Sequence, residues 1–167
     1  MKQNVLRFQQ MHKKLQTFGY KLTPQRIAIV KILSERTDHP KPEDIYEELQ
    51  KDFPTTSTAT VYKTLAILKE LKEVLEIQYS HESNRYDGFN PQPHPHIYCN
   101  QCKEISDLYF NGFSDLQDII TTQTGYQIEQ FKLDVTGVCP ECQKNRTSVN
   151  ELKTQFKEGT RKCLKKV

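Results

Sequence analysis

The sequence predicts an α+β protein, with a helical first half closed by a β-hairpin and a smaller α/β second half. Three observations carry this. Apolar residues recur at helical spacing in four successive stretches. The period then changes to strand-like alternation beginning at Val74. A proline-rich run, Gly88-Phe89-Asn90-Pro91-Gln92-Pro93, separates this half from a second in which short alternating segments flank one helical stretch.

The first helix is expected over residues 3–18, with Val5, Phe8, His12, Leu15 and Phe18 on one face and Gly19 as its stop. Thr23 followed by Pro24 caps a second helix, which runs to about Glu35 with Ile27, Val30, Ile32 and Leu33 as its apolar face. His39-Pro40-Lys41-Pro42 interrupts it, because a residue before proline is biased away from helix. Pro42 opens a third helix with Glu43 and Asp44 at its positive dipole end, and Ile45, Leu49 and Tyr46 facing inward. Ser57 is the cap of a fourth, from Thr58 to about Leu71, buried through Val61, Leu65 and Leu68. A strand around residues 74–79, a polar turn over 80–83 and a second strand at 84–87 follow. Three helices with a hairpin directly behind them, after a leading helix, make a winged helix-turn-helix pattern.

In the second half, residues 97–99 and 104–110 read as strands, 114–122 as a short helix capped by Ser114, and 127–138 as a last strand. The boundaries that follow are a winged-helix unit over 1–88, a linker over 89–93, an α/β unit over 94–142 and a basic tail over 143–167. The tail admits a terminal helix or a frayed end.

At 167 residues the chain has room for one sizeable domain or two small ones. No apolar run approaches the length of a membrane span, and residues 1–19 lack the apolar core of a signal peptide. A cytoplasmic protein without a membrane partner is expected, and in that reducing compartment paired cysteines favour metal or redox chemistry over structural disulfides. Charge is uneven. Residues 89–142 carry 2 Lys/Arg against 7 Asp/Glu, while residues 143–167 carry 8 against 2. An acidic middle rich in Cys and His suits cations, and a mildly basic first half is compatible with nucleic acid.

Chemistry concentrates between His94 and Asp107, which holds two histidines, a CxxC pair and a carboxylate. Cys99 and Cys102, with Cys139 and Cys142 far along the chain, form two CxxC knuckles able to supply four thiolates to one tetrahedral zinc. Two redox pairs or buried free thiols are the alternatives, and two knuckles in one chain favour metal. Cys163, alone in the tail, reads as a spare thiol. His94 and His96 lie two apart, so an extended backbone points them the same way. With His39, Asp87 and Asp107 they would make a mixed N/O shell that suits Fe(II) or Mn(II). Spacing alone supports only His94 and His96, since His39 also reads as a helix-end residue and Asp87 as a turn residue. On the fourth helix a hydroxyl-rich, basic face is suited to base edges and phosphates, against the plainer reading of a solvated surface. The candidate DNA-contacting residues are Arg26, Ser57, Thr58, Thr60, Tyr62 and Lys63.

Six motifs occur in order: Leu22-Thr23-Pro24-Gln25-Arg26; His39-Pro40; Ser57-Thr58-Ala59-Thr60-Val61-Tyr62-Lys63-Thr64-Leu65; Arg85-Tyr86-Asp87; the HxHxxCxxC at His94; and the late CxxC. On these the chain, from about residue 5 to 142, resembles the ferric uptake regulator (Fur) family. The resemblance implies a homodimeric repressor of double-stranded operator DNA, with the second unit serving dimerisation. It implies one structural Zn2+ per chain on Cys99, Cys102, Cys139 and Cys142. It also promotes His39, Asp87, His94, His96 and Asp107 to one regulatory Fe2+ or Mn2+ site bridging the domains. Asp107 stands where iron-sensing members usually carry Glu, which is similar to the peroxide-sensing branch, where a histidine ligand such as His39 or His94 is oxidised and DNA is released. Pro93 and Pro95 occupy positions flanking the HxH motif where many iron sensors carry a further metal site. An iron- or other-metal-responsive repressor is the alternative. The basic tail is longer than the resemblance explains. An enzyme is disfavoured, since five donors leave little room for a small organic substrate, and a zinc-ribbon module without DNA binding is disfavoured by the helix-turn-helix.

Overall fold

The computed structural model describes residues 2–78, 83–108, 112–129 and 133–145. The chain divides into two compact units, one ending at Pro93 and one beginning at His94. The tail from residue 146 with Cys163, the turn at residues 79–82, and residues 109–111 and 130–132 lie outside the described residues.

The first unit holds α1 (Lys2–Thr17), α2 (Pro24–Glu35), α3 (Pro42–Asp52) and α4 (Thr58–Glu70), then β1 (Leu75–Ile77) paired antiparallel with β2 (Arg85–Asp87). The local signals explain the boundaries. Thr23 Oγ1 accepts the Arg26 backbone N–H at 3.2 Å, which satisfies one of the unpaired donors at the start of α2. The Lys41 N–H is held by Asp44 Oδ2 at 2.8 Å at the start of α3. Gly19, at φ +74°, supplies the left-handed turn after α1.

α1 packs on α2, α2 on α3 and α4, and α3 on α4. The core they share includes Met11, Leu15, Ile29, Leu33, Ile45, Leu49, Val61, Leu65 and Leu68. The stripe expected on α4 is the stripe observed. That expected on α1 holds only in its middle: Leu15 is buried and Phe8 packs against the core, but Val5 and Phe18 are 57% and 61% exposed, and the buried stripe is Arg7, Met11 and Leu15 at i, i+4 and i+8. On α2, Ile29 is buried and Ile27 only partly so.

Arg7 explains the rotation of α1. Its Nε donates to Gly88 O at 2.7 Å, Nη2 to Glu73 O at 2.6 Å, and Nη1 to Glu73 Oε2 at 2.5 Å. Lys14 Nζ reaches Glu73 Oε1 at 2.9 Å. A buried guanidinium is retained only where its donors are matched, and here both ends of the hairpin supply the acceptors.

The second unit contains β3 (His96–Cys99), β4 (Ile105–Asp107), α5 (Phe113–Thr124) and β5 (Asp134–Gly137), with strand order β4-β3-β5. β3 is antiparallel to β4 and parallel to β5. α5 begins at Phe113 after Gly112, so Ser114 lies inside the helix and is not its cap. Among the described residues, the last strand covers 134–137 within the stretch expected to alternate.

Gly88 offers a direct test of the packing beside the hairpin. A Cβ there would lie 2.7 Å from Leu33 Cβ and 2.8 Å from Leu33 O, and the backbone cannot yield cheaply. Gly88→Ala is expected to lower stability by about 1–3 kcal/mol, read as a lower urea midpoint at unchanged slope.

Candidate functional site

The second unit brings its four cysteines together. Cys99 ends β3, Cys102 follows in the turn to β4, and Cys139 and Cys142 lie just past β5, where a helical stretch over 140–145 begins. Their sulfurs all lie within 4.8 Å of one another, with Cys102 Sγ 3.7 Å from Cys139 Sγ. The Cys139 N–H donates to Cys99 Sγ at 3.3 Å, and the Cys142 N–H to Cys139 Sγ at 3.5 Å. Backbone N–H groups lower the Cys99 thiol to about 6, that of Cys139 contributing most, with those of Cys102 and Gln101 beside it. Cys142 is pushed up to about 12 by the Cys139 sulfur beside it and by burial. At Cys102 the Glu104 N–H favours the thiolate, but the neighbouring thiols and burial outweigh it and the net shift is upward. The protein alone therefore holds one thiolate readily and resists a second beside it. A divalent cation among the four sulfurs removes that repulsion, so the donor set fits a tetrahedral thiolate metal site.

The same unit brings His94, His96 and Asp107 together. His96 lies opposite Asp107 across the β3–β4 ladder, which puts both on one face. His94 Nε2 is 3.0 Å from Asp107 Oδ1, His96 Nε2 is 3.8 Å from it, and the imidazole centroids are 4.2 Å apart. Two ring nitrogens and a carboxylate oxygen at these separations suit a cation with bonds of roughly 2.0–2.2 Å to each.

The first unit separately pairs His39 with Asp87, Nε2 to Oδ2 at 3.6 Å, both buried. Asp87 Oδ1 accepts the N–H groups of Phe89 at 2.9 Å and Asn90 at 2.8 Å, which fixes the carboxylate plane. His39 adopts φ +54°, an uncommon conformation for a side chain with Cβ. Two bonds from β2 hold it there: Tyr86 N–H to Pro40 O at 3.0 Å and Arg85 Nη1 to His39 O at 3.4 Å. Neither residue type carries a sequence signal for this role.

On α4, Ser57, Thr58 and Lys63 are exposed and Tyr62 is 50% exposed. Thr60 is half-buried beside Ser57, and Arg26 is half-buried with its guanidinium donating to Lys21 O. Tyr62 is thus a surface residue, and its hydroxyl donates to Glu43 Oε1 at 3.0 Å, which raises its pKa. Glu76 ties this helix to the hairpin, accepting from Lys69 of α4, from Asn84 at 2.9 Å and from the Tyr86 hydroxyl at 2.9 Å. Sequence periodicity gave no sign of Glu43 or Glu76 as polar partners. Among the described residues no helix is long and apolar enough to cross a membrane.

A winged helix-turn-helix followed by an α/β unit bearing two clusters of metal-ligating side chains defines a metal-responsive DNA-binding regulator. The Ferric uptake regulator family model matches residues 17–136, and the chain belongs to that family of transcriptional regulators. It is 36% identical over 129 residues to the peroxide-responsive repressor PerR of Staphylococcus aureus, covering 77% of this chain and 86% of that protein. The Campylobacter jejuni peroxide stress regulator is similar in structure at 32% identity and TM-score 0.62, covering 80% of this chain and 97% of that one. The ferric uptake regulator of Francisella tularensis, solved with iron, is similar at 28% identity and TM-score 0.67, covering 75% and 96%.

The Cys99 shift has a sign that can be measured. A folded-state pKa of about 6, against an ordinary 9.0, contributes stability that is full above about pH 9 and is lost as pH falls through about 6. Metal-free protein is expected to show one thiolate ultraviolet step with a midpoint near pH 6, and Cys99→Ser to remove it.

Proposed function

We propose that the chain is a homodimeric, metal-dependent repressor of double-stranded operator DNA that releases its operator when hydrogen peroxide oxidises a histidine ligand. The observation that carries the peroxide reading is Asp107 itself, a carboxylate on the same strand face as His96 and 3.0 Å from His94. The likeness to peroxide-responsive relatives supports it.

In this reading Cys99, Cys102, Cys139 and Cys142 hold one structural Zn2+, and His39, Asp87, His94, His96 and Asp107 together hold one regulatory Fe2+ or Mn2+. Each half of the regulatory set is already ordered within its own unit, which supports a shared ion. An Fe(II) ion held there would supply the redox chemistry for cleaving the O–O bond, lending an electron and regaining it, so that the net change is one oxygen gained by an imidazole and one water released. His39 and His94 are the candidates for that change. Asp87 orients the His39 imidazole while its own plane is held by Phe89 and Asn90. Arg26, Ser57, Thr58, Thr60, Tyr62 and Lys63 contact the operator, with Tyr62 and Thr58 toward bases and Lys63 toward phosphates. A cytoplasmic location follows from this role.

Gel shifts with protein loaded anaerobically with Fe(II) or Mn(II), before and after a small dose of peroxide, test the reading. Loss of binding is expected only with iron, with one added oxygen on the His39 or His94 peptide by mass spectrometry. Binding that needs metal yet survives peroxide would place the protein among regulators that respond to the metal itself. Purified protein is also expected to retain about one zinc per chain, and a lower content would remove the four-cysteine site.

A further inference from the structure

The Glu43–Tyr62 hydrogen bond lies on the surface the proposed function gives to DNA, and it has a consequence for base preference. Glu43 is exposed in the first turn of α3, where the helix dipole favours its negative charge. Its carboxylate and Tyr62 both line a cleft of about 480 Å3 between α3 and α4, together with Tyr46, Gln50 and Thr58. Polar groups within the cleft are paired with one another, since Gln50 Nε2 donates to the Tyr46 hydroxyl at 2.7 Å.

A carboxylate only accepts hydrogen bonds, and a tyrosine hydroxyl has one proton to give. At 3.0 Å from Glu43 Oε1 that proton is committed, and the charged acceptor makes the commitment stronger than one to water. What the hydroxyl can offer outward is then its lone pairs. We infer that Glu43 is a specificity-determining residue that fixes the Tyr62 hydroxyl as an acceptor, so that Tyr62 selects a base amino group in the major groove, adenine N6 or cytosine N4. Without Glu43 the hydroxyl rotates freely and donates to thymine O4 or guanine O6 as readily as it accepts. The carboxylate also faces an approaching phosphate backbone, so it lowers affinity for all sequences while sharpening the choice among them.

This rests on α4 being the helix that reads DNA, and the experiment separates the two statements. Mn(II)-loaded full-length protein is used to select from duplexes with randomised half-sites, and selected and single-substituted duplexes are then titrated by fluorescence anisotropy. Lys63→Ala is expected to weaken binding evenly across sequences and to flatten its salt dependence. Tyr62→Phe is expected to reduce preference at one base pair per half-site by roughly 2–10-fold. Glu43→Ala is expected to lose preference at that same base pair, and Glu43→Gln, whose amide can accept or, flipped, donate, to weaken it, both binding bulk DNA as tightly as wild type or more so. Unchanged base preference in both Glu43 variants, alongside weakened binding by Lys63→Ala, would overturn the role of Glu43 and leave the recognition helix standing. If Lys63→Ala has no effect, the helix assignment falls and the inference falls with it.

Discussion

Both ligand clusters of the second unit depend on the register of β3. His96 is opposite Asp107 on one side, and Cys99 is opposite Gly137 on the other. Side chains alternate along a strand, so a slip of one residue against β4 would send Asp107 to the face opposite His96. The same slip against β5 would carry Cys139 about 3.3 Å along the strand, more than the roughly 2.3 Å of a zinc–thiolate bond. A four-residue strand is short to hold such precision alone. Bonds at and just beyond its ends lock it: Asn100 N–H to Gly137 O at 2.9 Å, Cys99 N–H to Glu104 O at 2.9 Å, and Leu108 N–H to Pro95 O at 2.8 Å. Burial of Tyr98 and Ile105, paired across the same ladder, penalises the slipped alternatives further.

In the first unit the comparable constraint is the left-handed backbone at His39. That conformation costs roughly 1–2 kcal/mol for a residue with Cβ, so something must hold it. The holding bonds come from β2, and β2 is itself held through the Tyr86 hydroxyl to Glu76 and from there to Lys69 of α4. The carboxyl of Glu76 is shifted downward although burial opposes this, because donors from Lys69, Tyr86 and Asn84 outweigh it. The His39 loop, the hairpin and the exposed face of α4 are thus parts of one hydrogen-bonded framework inside a single unit. Arg7 adds a further tie at the open end of the hairpin, where Glu73 precedes β1 and Gly88 follows Asp87 directly.

Much of this was legible in the sequence where one residue type has one dominant use. Thr23 before Pro24, the apolar stripe of α4 and the spacing of the four cysteines each allow few structures, and each appears in the fold as read. The misreadings share a cause. α1 carries apolar side chains on more than one face, so its period alone does not say which face is buried; a charged residue, Arg7, decides it because Glu73 and Gly88 O await it. Ser114 fits a cap by composition, but the helix starts one residue earlier, at Phe113. Glu43 and Glu76 look like ordinary surface acids until the fold brings Tyr62 and Tyr86 to them, because hydrogen-bond partners 10 and 19 positions apart leave no periodic trace.

The division of the regulatory ligands between two units, each with its own half already built, suits the proposed switch on energetic grounds. Moving a two-state population from 1:99 to 99:1 takes about 5.5 kcal/mol of differential binding. An ion that must first order its ligands spends much of its affinity on their side-chain and backbone entropy. Here Asp87 is fixed by two amides, His39 by its backbone ties, and His96 with Asp107 by the sheet ladder. On the proposed function, the ion's binding free energy therefore goes chiefly into holding the two units in the arrangement that binds DNA. An imidazole that gains an oxygen loses basicity at its ligating nitrogen, and the loss falls on that same term. On the proposed function, a change at one ring in this way reverses an equilibrium set by the five proposed ligands, without unfolding either unit.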